Sequence, residues 1–369
     1  MTQAITQTPA STKGADSDSL HGPLLDLVQQ LIITERENYS TVRKDLETDQ
    51  CHRIAKGFYL PKSSLPEDLP PWELRRRIAL IRHYVHNARM SRLLMFSHQS
   101  ALLIRELPLL NWPLHIHERL TGNSPSFRRP YPALRSSGRI LAGAARTIIH
   151  ADQIFGDPPE VIAGMPVATL RETARDILTF SPPVEAICEV SILIRHAVHY
   201  DRRDLHESQK RLKMLLQNWR DAIEGLPNER GKKRALKLLE LCDAKCESIA
   251  ETKFLWFLHT FKARTWTTQE EFSTPAGLYV ADFCFPSVGV LVEIEGVAKL
   301  GNGATTVKQN LNALLLRDNA LTAQGWKVIH LPASLVLSTP VDLLAHIRQV
   351  APEILSPAPP RRWLLAGYH

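Results

Sequence analysis

From Leu24 to about Asp49 apolar residues recur at helical spacing, with Leu25, Val28, Leu31 and Ile32 on one side, which predicts an amphipathic helix. The next stretch, Cys51-His-Arg53-Ile-Ala-Lys56-Gly57-Phe-Tyr-Leu-Pro61, predicts a short β-wing with basic tips. Val184 to Leu241 reads as mostly helical, broken at Gly225-Leu-Pro227. A further helix is expected from Ala244 to Leu258, where Ile249, Phe254, Leu255 and Leu258 share a face and leave Glu251 near its edge. Two runs rich in Val, Phe and Leu then flank Pro286-Ser-Val-Gly289, which is the punctuation of a β-hairpin. A helix through Arg317 and Asp318, a Gly325 stop and a short buried strand ending at Pro332 complete the pattern.

The hairpin, Leu278-Tyr-Val-Ala-Asp282-Phe-Cys-Phe-Pro-Ser-Val-Gly-Val-Leu-Val-Glu293-Ile-Glu295-Gly296, carries the chemistry. Alternate residues of a strand share a face, so Leu291, Glu293 and Glu295 point one way and Val290, Val292 and Ile294 the other. Two carboxylates thus interrupt a core-grade strand, and Asp282 adds a third on its partner. An ionised carboxylate is costly to desolvate unless it meets a cation or a hydrogen-bond network. A divalent metal ion meets that demand.

Composition widens the frame. At 369 residues the chain is too long for a typical single core, so two or three domains are expected. Forty-five basic against thirty-eight acidic residues give a formal net charge of +7, which favours a polyanionic partner. The five cysteines, Cys51, Cys188, Cys242, Cys246 and Cys284, form no CxxC pair, which argues against a zinc or disulfide framework. No run of ~18 apolar residues occurs and no charged-then-apolar leader opens the chain, so a cytoplasmic protein with no membrane partner is expected. Residues 1–20 are polar and predict a disordered tail. The Pro-rich end from Ser356, with Arg361, Arg362 and Trp363, predicts an extended arm.

A helix with a Glu, a hairpin with Asp and Glu-X-Glu, then an Arg-Asp helix ending in Gly-Trp and a Val-Ile strand form an ordered set. In that order the last quarter to third of the chain resembles the very-short-patch-repair-like branch of the PD-(D/E)XK nuclease superfamily. The resemblance implies that Glu251, Asp282, Glu293 and Glu295 gather around Mg²⁺ (or Mn²⁺), with Asp282 and Glu293 as metal ligands. The superfamily's usual Lys lies two residues after the first strand carboxylate, where this chain has Glu295; Lys299 is the cation that stands in. A second similarity is to the RAP domain, an RNA-associated relative, through Gly303-Ala-Thr-Thr-Val-Lys308, Arg317-Asp318 and Gly325-Trp326. No helical repeat of the kind that accompanies RAP domains is present.

The segment from Arg53 to about His117 resembles the front half of two-domain proteins, common in actinobacteria, that join an AbiEi-antitoxin-like winged helix to such a nuclease module. The matching residues are Arg53 to Pro61, Phe96-Ser97-His98-Gln-Ser100-Ala101, Leu107-Pro108-Leu109 and His115-Ile-His117. Ser97-His98 reads as the N-cap of a helix from Gln99 to Ile104 and not as a nucleophile with its base. His115 and His117 have strand spacing suited to chelation, with no third ligand evident nearby. Arg171, Arg175 and Asp176 read as a solvated helix face, and Arg128 and Arg129 as part of a basic stretch.

The sequence therefore predicts a multi-domain α/β protein. Its expected parts are the tail at 1–20, a winged-helix-like α+β module at 21–123, a basic and mostly helical middle at 124–245, a restriction-endonuclease-like α/β domain at 246–350 and a Pro-rich tail at 351–369. The expected activity is Mg²⁺-dependent DNA cleavage, with Asp282 and Glu293 on the metal, Glu251 and Glu295 completing the site and Lys299 neutralising developing charge. Arg53, Lys56, Arg128, Arg129, Lys308 and Arg317 are the candidate phosphate contacts, to DNA in preference to RNA. Two alternatives stay open: a non-catalytic DNA-binding regulator with a degenerate nuclease fold, and a RAP-type RNA-binding protein.

Overall fold

The computed structural model describes the chain outside residues 1–21, 35–37, 67, 91–92, 112–114, 121–129, 137, 151–156, 227–228, 276, 297–303 and 368–369, and outside the side chains of 22–23, 39, 229–230 and 304–313. The expected tail at 1–20 and the candidate residues Arg128, Arg129 and Lys299 lie outside the described residues, as does the side chain of Lys308. The chain is mixed α/β and splits into two compact units, Met1–Asp176 and Ile177–His369. Among the described residues no helix is long and apolar enough to cross a membrane.

The first unit opens with α1 (Gly22–Gln29), β1 (Ile32–Ile33) and α2 (Tyr39–Glu47), in place of the single helix expected from Leu24 to about Asp49. Ile32 and Ile33 are β-branched, stiff in a helix and well suited to a pleated edge. They pair with Tyr59 and Phe58. That adds a strand to the expected hairpin of β2 (Cys51–Ala55) and β3 (Phe58–Pro61), giving the order β1-β3-β2. Gly57 sits at its turn with φ +85°, a conformation that glycine alone adopts without cost.

Then come α3 (Pro71–Arg89), β4 (Leu93–Phe96), α4 (His98–Ile104), β5 (Ile116–Leu120), β6 (Pro130–Tyr131), β7 (Leu134–Ser136), β8 (Arg139–Ala142), β9 (Ala145–Ile149), β10 (Glu160–Ile162), β11 (Met165–Val167) and α5 (Leu170–Phe180). Six of these strands form one sheet in the order β10-β11-β4-β5-β9-β6, and β7 and β8 pair as a separate ribbon. The stretch 124–245 is therefore not mostly helical from its start; it is strand-rich until Leu170. β6 has 2 residues, β7 and β10 have 3 each, and at that length alternation cannot stand out from the Arg and Pro around it.

The second unit begins with α6 (Pro183–Val198), α7 (Leu205–Glu224) and α8 (Glu229–Leu239). Next are α9 (Ile249–Thr260), β12 (Thr267–Thr274), β13 (Gly277–Phe285), β14 (Val290–Glu295), α10 (Ala304–Ala323), β15 (Lys327–Pro332), α11 (Ala333–Val336) and α12 (Pro340–Val350). The sheet runs β12-β13-β14-β15; the first three strands are antiparallel and β15 is parallel to β14, reached through α10. Gly289, at φ +66°, closes the β13–β14 turn, and Gly325, at φ +91°, ends α10 before β15. Ala281, Cys284, Leu291 and Leu321 are packed with Phe272, Trp326 and Val328 as a core. Helix α9 is buried nearly all round, which explains why its sequence shows so weak a polar face.

The end of the chain is not a free arm. The Trp256 indole donates to the Leu364 carbonyl at 3.1 Å, the Arg361 amide donates to the Thr260 carbonyl at 2.8 Å, and Ile354 and Leu364 are fully buried. Two apolar anchors among the prolines hold the segment against α9, a signal that the composition of the tail conceals.

Candidate functional site

The acids expected to form a centre come from α9, β13 and β14 of the second unit. Ser248 caps α9 by accepting from the Glu251 amide at 3.2 Å, and the Glu251 carboxylate turns back to accept from Ser248 Oγ and from the Glu247 amide, both at 2.8 Å. Ser248-Ile-Ala-Glu251 is thus a close variant of the capping box, legible in the sequence. Asp282 stands where the β13–β14 ladder stops, after the pairing of Phe283 with Val292. Its Oδ2 accepts from the Ile294 amide at 2.8 Å and so takes the place of a ladder carbonyl.

Glu251 and Asp282 are joined by a residue that sequence reasoning passes over. Gln269 Nε2 donates to Glu251 at 3.1 Å and to Asp282 at 3.0 Å. Gln269 has φ +51°, an uncommon conformation for a side chain of this size, at a break in the β12–β13 pairing between Thr268 and Glu270. Both carboxylates are buried, at 5% and 7% exposure, and among the described residues every donor that reaches them is neutral. The nearby Lys253 ammonium is spent on the Leu337 and Ser338 carbonyls at 2.8 and 2.7 Å. Burial and the neighbouring Asp282 charge push the Glu251 carboxyl up to about 7.

Glu293 and Glu295 are handled differently. The Glu293 carboxylate is ion-paired with Arg317 of α10, whose guanidinium also donates to the Val280 carbonyl at 2.9 Å and lies over the Tyr279 ring. Arg317, expected to contact phosphate, is therefore turned onto an acid of its own unit. Glu295 meets His330 Nδ1 at 2.8 Å, and His330 Nε2 meets Asp318 at 2.8 Å. His330 and Asp318 were legible only as part of a helix and strand; their meeting depends on the parallel register that places His330 beside Glu293. The structure thus links Glu251 with Asp282, and Glu293 and Glu295 each with a cationic or basic partner.

The first unit holds a second concentration of buried polar groups, along His117, Glu118 and Arg119 of β5. Alternate residues point to opposite faces. Glu118 accepts from His86 Nε2 of α3 at 2.6 Å, and His86 Nδ1 lies 2.7 Å from the Tyr131 hydroxyl. Arg119 reaches both oxygens of Asp176 at 2.6 Å and Glu172 at 3.4 Å, and Arg175 adds a contact to Asp176 at 3.1 Å. Arg175 and Asp176 are buried, not the solvated face expected; burial pushes the Asp176 carboxyl up to about 6 against the pull of both guanidiniums. Arg171 pairs with Asp157.

Ser97 precedes α4 in extended conformation but makes no side-chain cap; its hydroxyl lies 3.1 Å from His98 Nδ1. Asp176 approaches that same nitrogen, at 3.9 Å, whereas a relay from serine through histidine to acid needs opposite ring nitrogens. On the surface, Arg53 and Lys56 are exposed on the β2–β3 hairpin and, with Arg89, Pro130, Tyr131, Pro132 and Ala144, line an open cleft of about 580 Å³. Comparison with protein-family models, with curated proteins and with solved structures finds no match for this chain.

Proposed function

We propose that the second unit is a divalent-metal-dependent phosphodiesterase of restriction-endonuclease-like fold, acting on DNA, and that the winged-helix-like first unit offers a basic cleft to the polyanion. The observation that carries this reading is the Glu251–Asp282 pair: two buried like charges, bridged by one amide, with only neutral donors among the described residues. Such a pair gains most from a cation supplied from outside. Support also comes from the chain order of helix, three antiparallel strands, helix and parallel strand.

Asp282 and Glu251 are the residues that would hold the ion, with Glu293 joining if it leaves Arg317. A bound Mg²⁺ or Mn²⁺ supplies charge to the phosphoryl oxygens and a lower pKa to its water. Because burial and the Asp282 charge raise the Glu251 carboxyl to about 7 without an ion, binding of the metal would release a proton from it near neutral pH. Arg53, Lys56 and Arg89 supply phosphate contacts that carry no sequence information.

The test is Mg²⁺- or Mn²⁺-dependent cleavage of duplex DNA by the parent and by Asp282→Asn. The parent cleaves and is thermally stabilised by the metal; the variant loses cleavage by at least about a hundredfold and is no longer stabilised. A parent that binds DNA yet neither cleaves it nor responds to either metal supports the second reading, a binding-only protein. The Arg317–Glu293 ion pair favours that alternative, because it neutralises from within an acid that a nuclease needs for its metal.

A further inference from the structure

Three histidines distant in sequence meet in the first unit: His98 at the start of α4, His117 on β5 and His150 just after β9. One candidate ligand atom from each lies within 4.8 Å of the other two. The backbone explains the meeting. The Ser97 amide donates to the His117 carbonyl at 3.1 Å and the His150 amide donates to the Glu118 carbonyl at 2.9 Å, so three adjacent chain segments hold these residues side by side. Neighbouring strands are about 4.8 Å apart, close enough for imidazoles on one face to share an ion.

We infer that His98, His117 and His150 form a binding site for a divalent transition-metal ion of Zn²⁺ type, separate from the acidic centre of the second unit. Imidazole nitrogen suits zinc and its neighbours and does not suit Mg²⁺, which takes oxygen ligands. His117 Nδ1 and His150 Nε2 already face each other at 3.0 Å. Metal–nitrogen bonds of about 2.0–2.1 Å in tetrahedral geometry ask for about 3.3 Å between ligand atoms, so the ion replaces this contact after a small opening. The His98 ring is stacked on His150 with centroids 3.7 Å apart. Bringing its nitrogen into line requires rotation about Cβ–Cγ, a torsion with a broad minimum.

Further observations fit a ligand. His98 is held at φ +50°, a costly conformation for a residue with a side chain, and one that places its ring over the other two. Its Nδ1 is turned to Ser97 Oγ at 3.1 Å, with the Asp176 carboxylate farther off at 3.9 Å, which makes Nε2 the ligand atom. The neighbouring Arg119 and Arg175 are matched by Asp176 and Glu172, so they do not leave a net positive wall. His117 and His150 are only half-buried, which gives an ion a way in.

The experiment is titration of the full chain with Zn²⁺ and Co²⁺ at pH 7, in an Asp282→Asn background so that the acidic centre does not compete. One ion per chain is expected, with a Co²⁺ visible spectrum of nitrogen-bound, near-tetrahedral type. Binding weakens by about tenfold or more in His117→Gln and in His150→Gln, while His115→Gln retains it. Absence of stoichiometric binding, or undiminished binding in both folded variants, overturns the assignment. Should the variants fail to fold, zinc-edge X-ray absorption of the Asp282→Asn protein decides: imidazole scattering from two or three rings upholds the site, and an all-oxygen shell rejects it.

Discussion

Both units bury carboxylates, and they neutralise them in opposite ways. In the first, Glu118 meets His86, and Asp176 and Glu172 meet Arg119 and Arg175. In the second, Glu251 and Asp282 receive amides and a hydroxyl, and Arg317 pairs with Glu293. The first network pairs its carboxylates with cations of its own chain, whereas the acidic pair of the second meets only neutral donors among the described residues, the feature on which the proposed metal site rests.

The sharpest way to break this contrast is to remove a cation from each unit. Arg119→Met leaves the buried Asp176 and Glu172 with Arg175 as their one guanidinium among the described residues, and a loss of about 3–5 kcal/mol is expected in denaturant unfolding. No metal restores it. Arg317→Met frees the Glu293 carboxylate beside the acidic pair, at a smaller cost of roughly 1–2 kcal/mol because the guanidinium is partly exposed. Mg²⁺ recovers that loss and binds more tightly than to the parent. Equal costs, with no metal response in either variant, would erase the distinction between the two networks.

A middle-sized effect is expected from pH. Glu251 titrates at about 4.5 in the unfolded chain and at about 7 in the fold, where it faces Asp282, Glu247, Ser248 and Gln269. The folded form therefore prefers the proton: stability is fully present below pH 4.5 and is lost as pH climbs through 7. Glu251→Gln removes this dependence, giving about 1–3 kcal/mol more stability than the parent at pH 8 and almost none at pH 4. The first unit responds with the opposite sign. Burial lowers His83 to about 4 and His117 to about 3, so these groups stabilise the fold above 6.5 and cost it stability as pH falls toward those values. Hydrogen exchange resolved by unit measures both limbs, and a variant that follows the parent at every pH would dismiss Glu251 as the source.

Much of the second unit was legible because its signals are local. The Pro-Ser-Val-Gly turn, the Gly325 stop and the acids in core-grade strands each lie within a few residues of what they determine, whereas the helix expected from Ala244 starts at Ile249, behind a Ser248 cap that periodicity alone passes over. The partners were not. Gln269 reaches Asp282 through a break in strand pairing, and His330 reaches Glu295 through the β14–β15 register, neither of which leaves a mark in the sequence. The first unit was harder for the same reason. The His115-Ile-His117 pattern does not show the grouping that the fold makes: His117 lies with residues 19 positions before it and 33 after it, because the sheet order β4-β5-β9 brings them there. The continuous helix expected from Leu24 to about Asp49 failed where two isoleucines found a strand to pair with, a tertiary opportunity that helical periodicity cannot anticipate.

The smallest effect tests the surface side of the comparison. Arg119 and Arg175 in the first unit's interior are committed to acids, whereas Arg53 and Lys56 stand exposed on the β2–β3 hairpin and line the same cleft as Arg89. If that cleft holds a phosphate backbone, affinity for duplex DNA falls linearly with salt on a logarithmic scale, by about 0.9 of a slope unit for each phosphate neutralised. Arg53→Ala and Lys56→Ala should each reduce the slope by about one and weaken binding to all sequences alike, with no change in metal binding at either site. Arg317→Met provides the contrast, since its guanidinium is occupied by Glu293 and should leave the salt slope untouched. Unchanged slopes in both wing variants would remove the cleft from the binding surface, and a reduced slope in Arg317→Met would show that this ion pair opens to meet DNA.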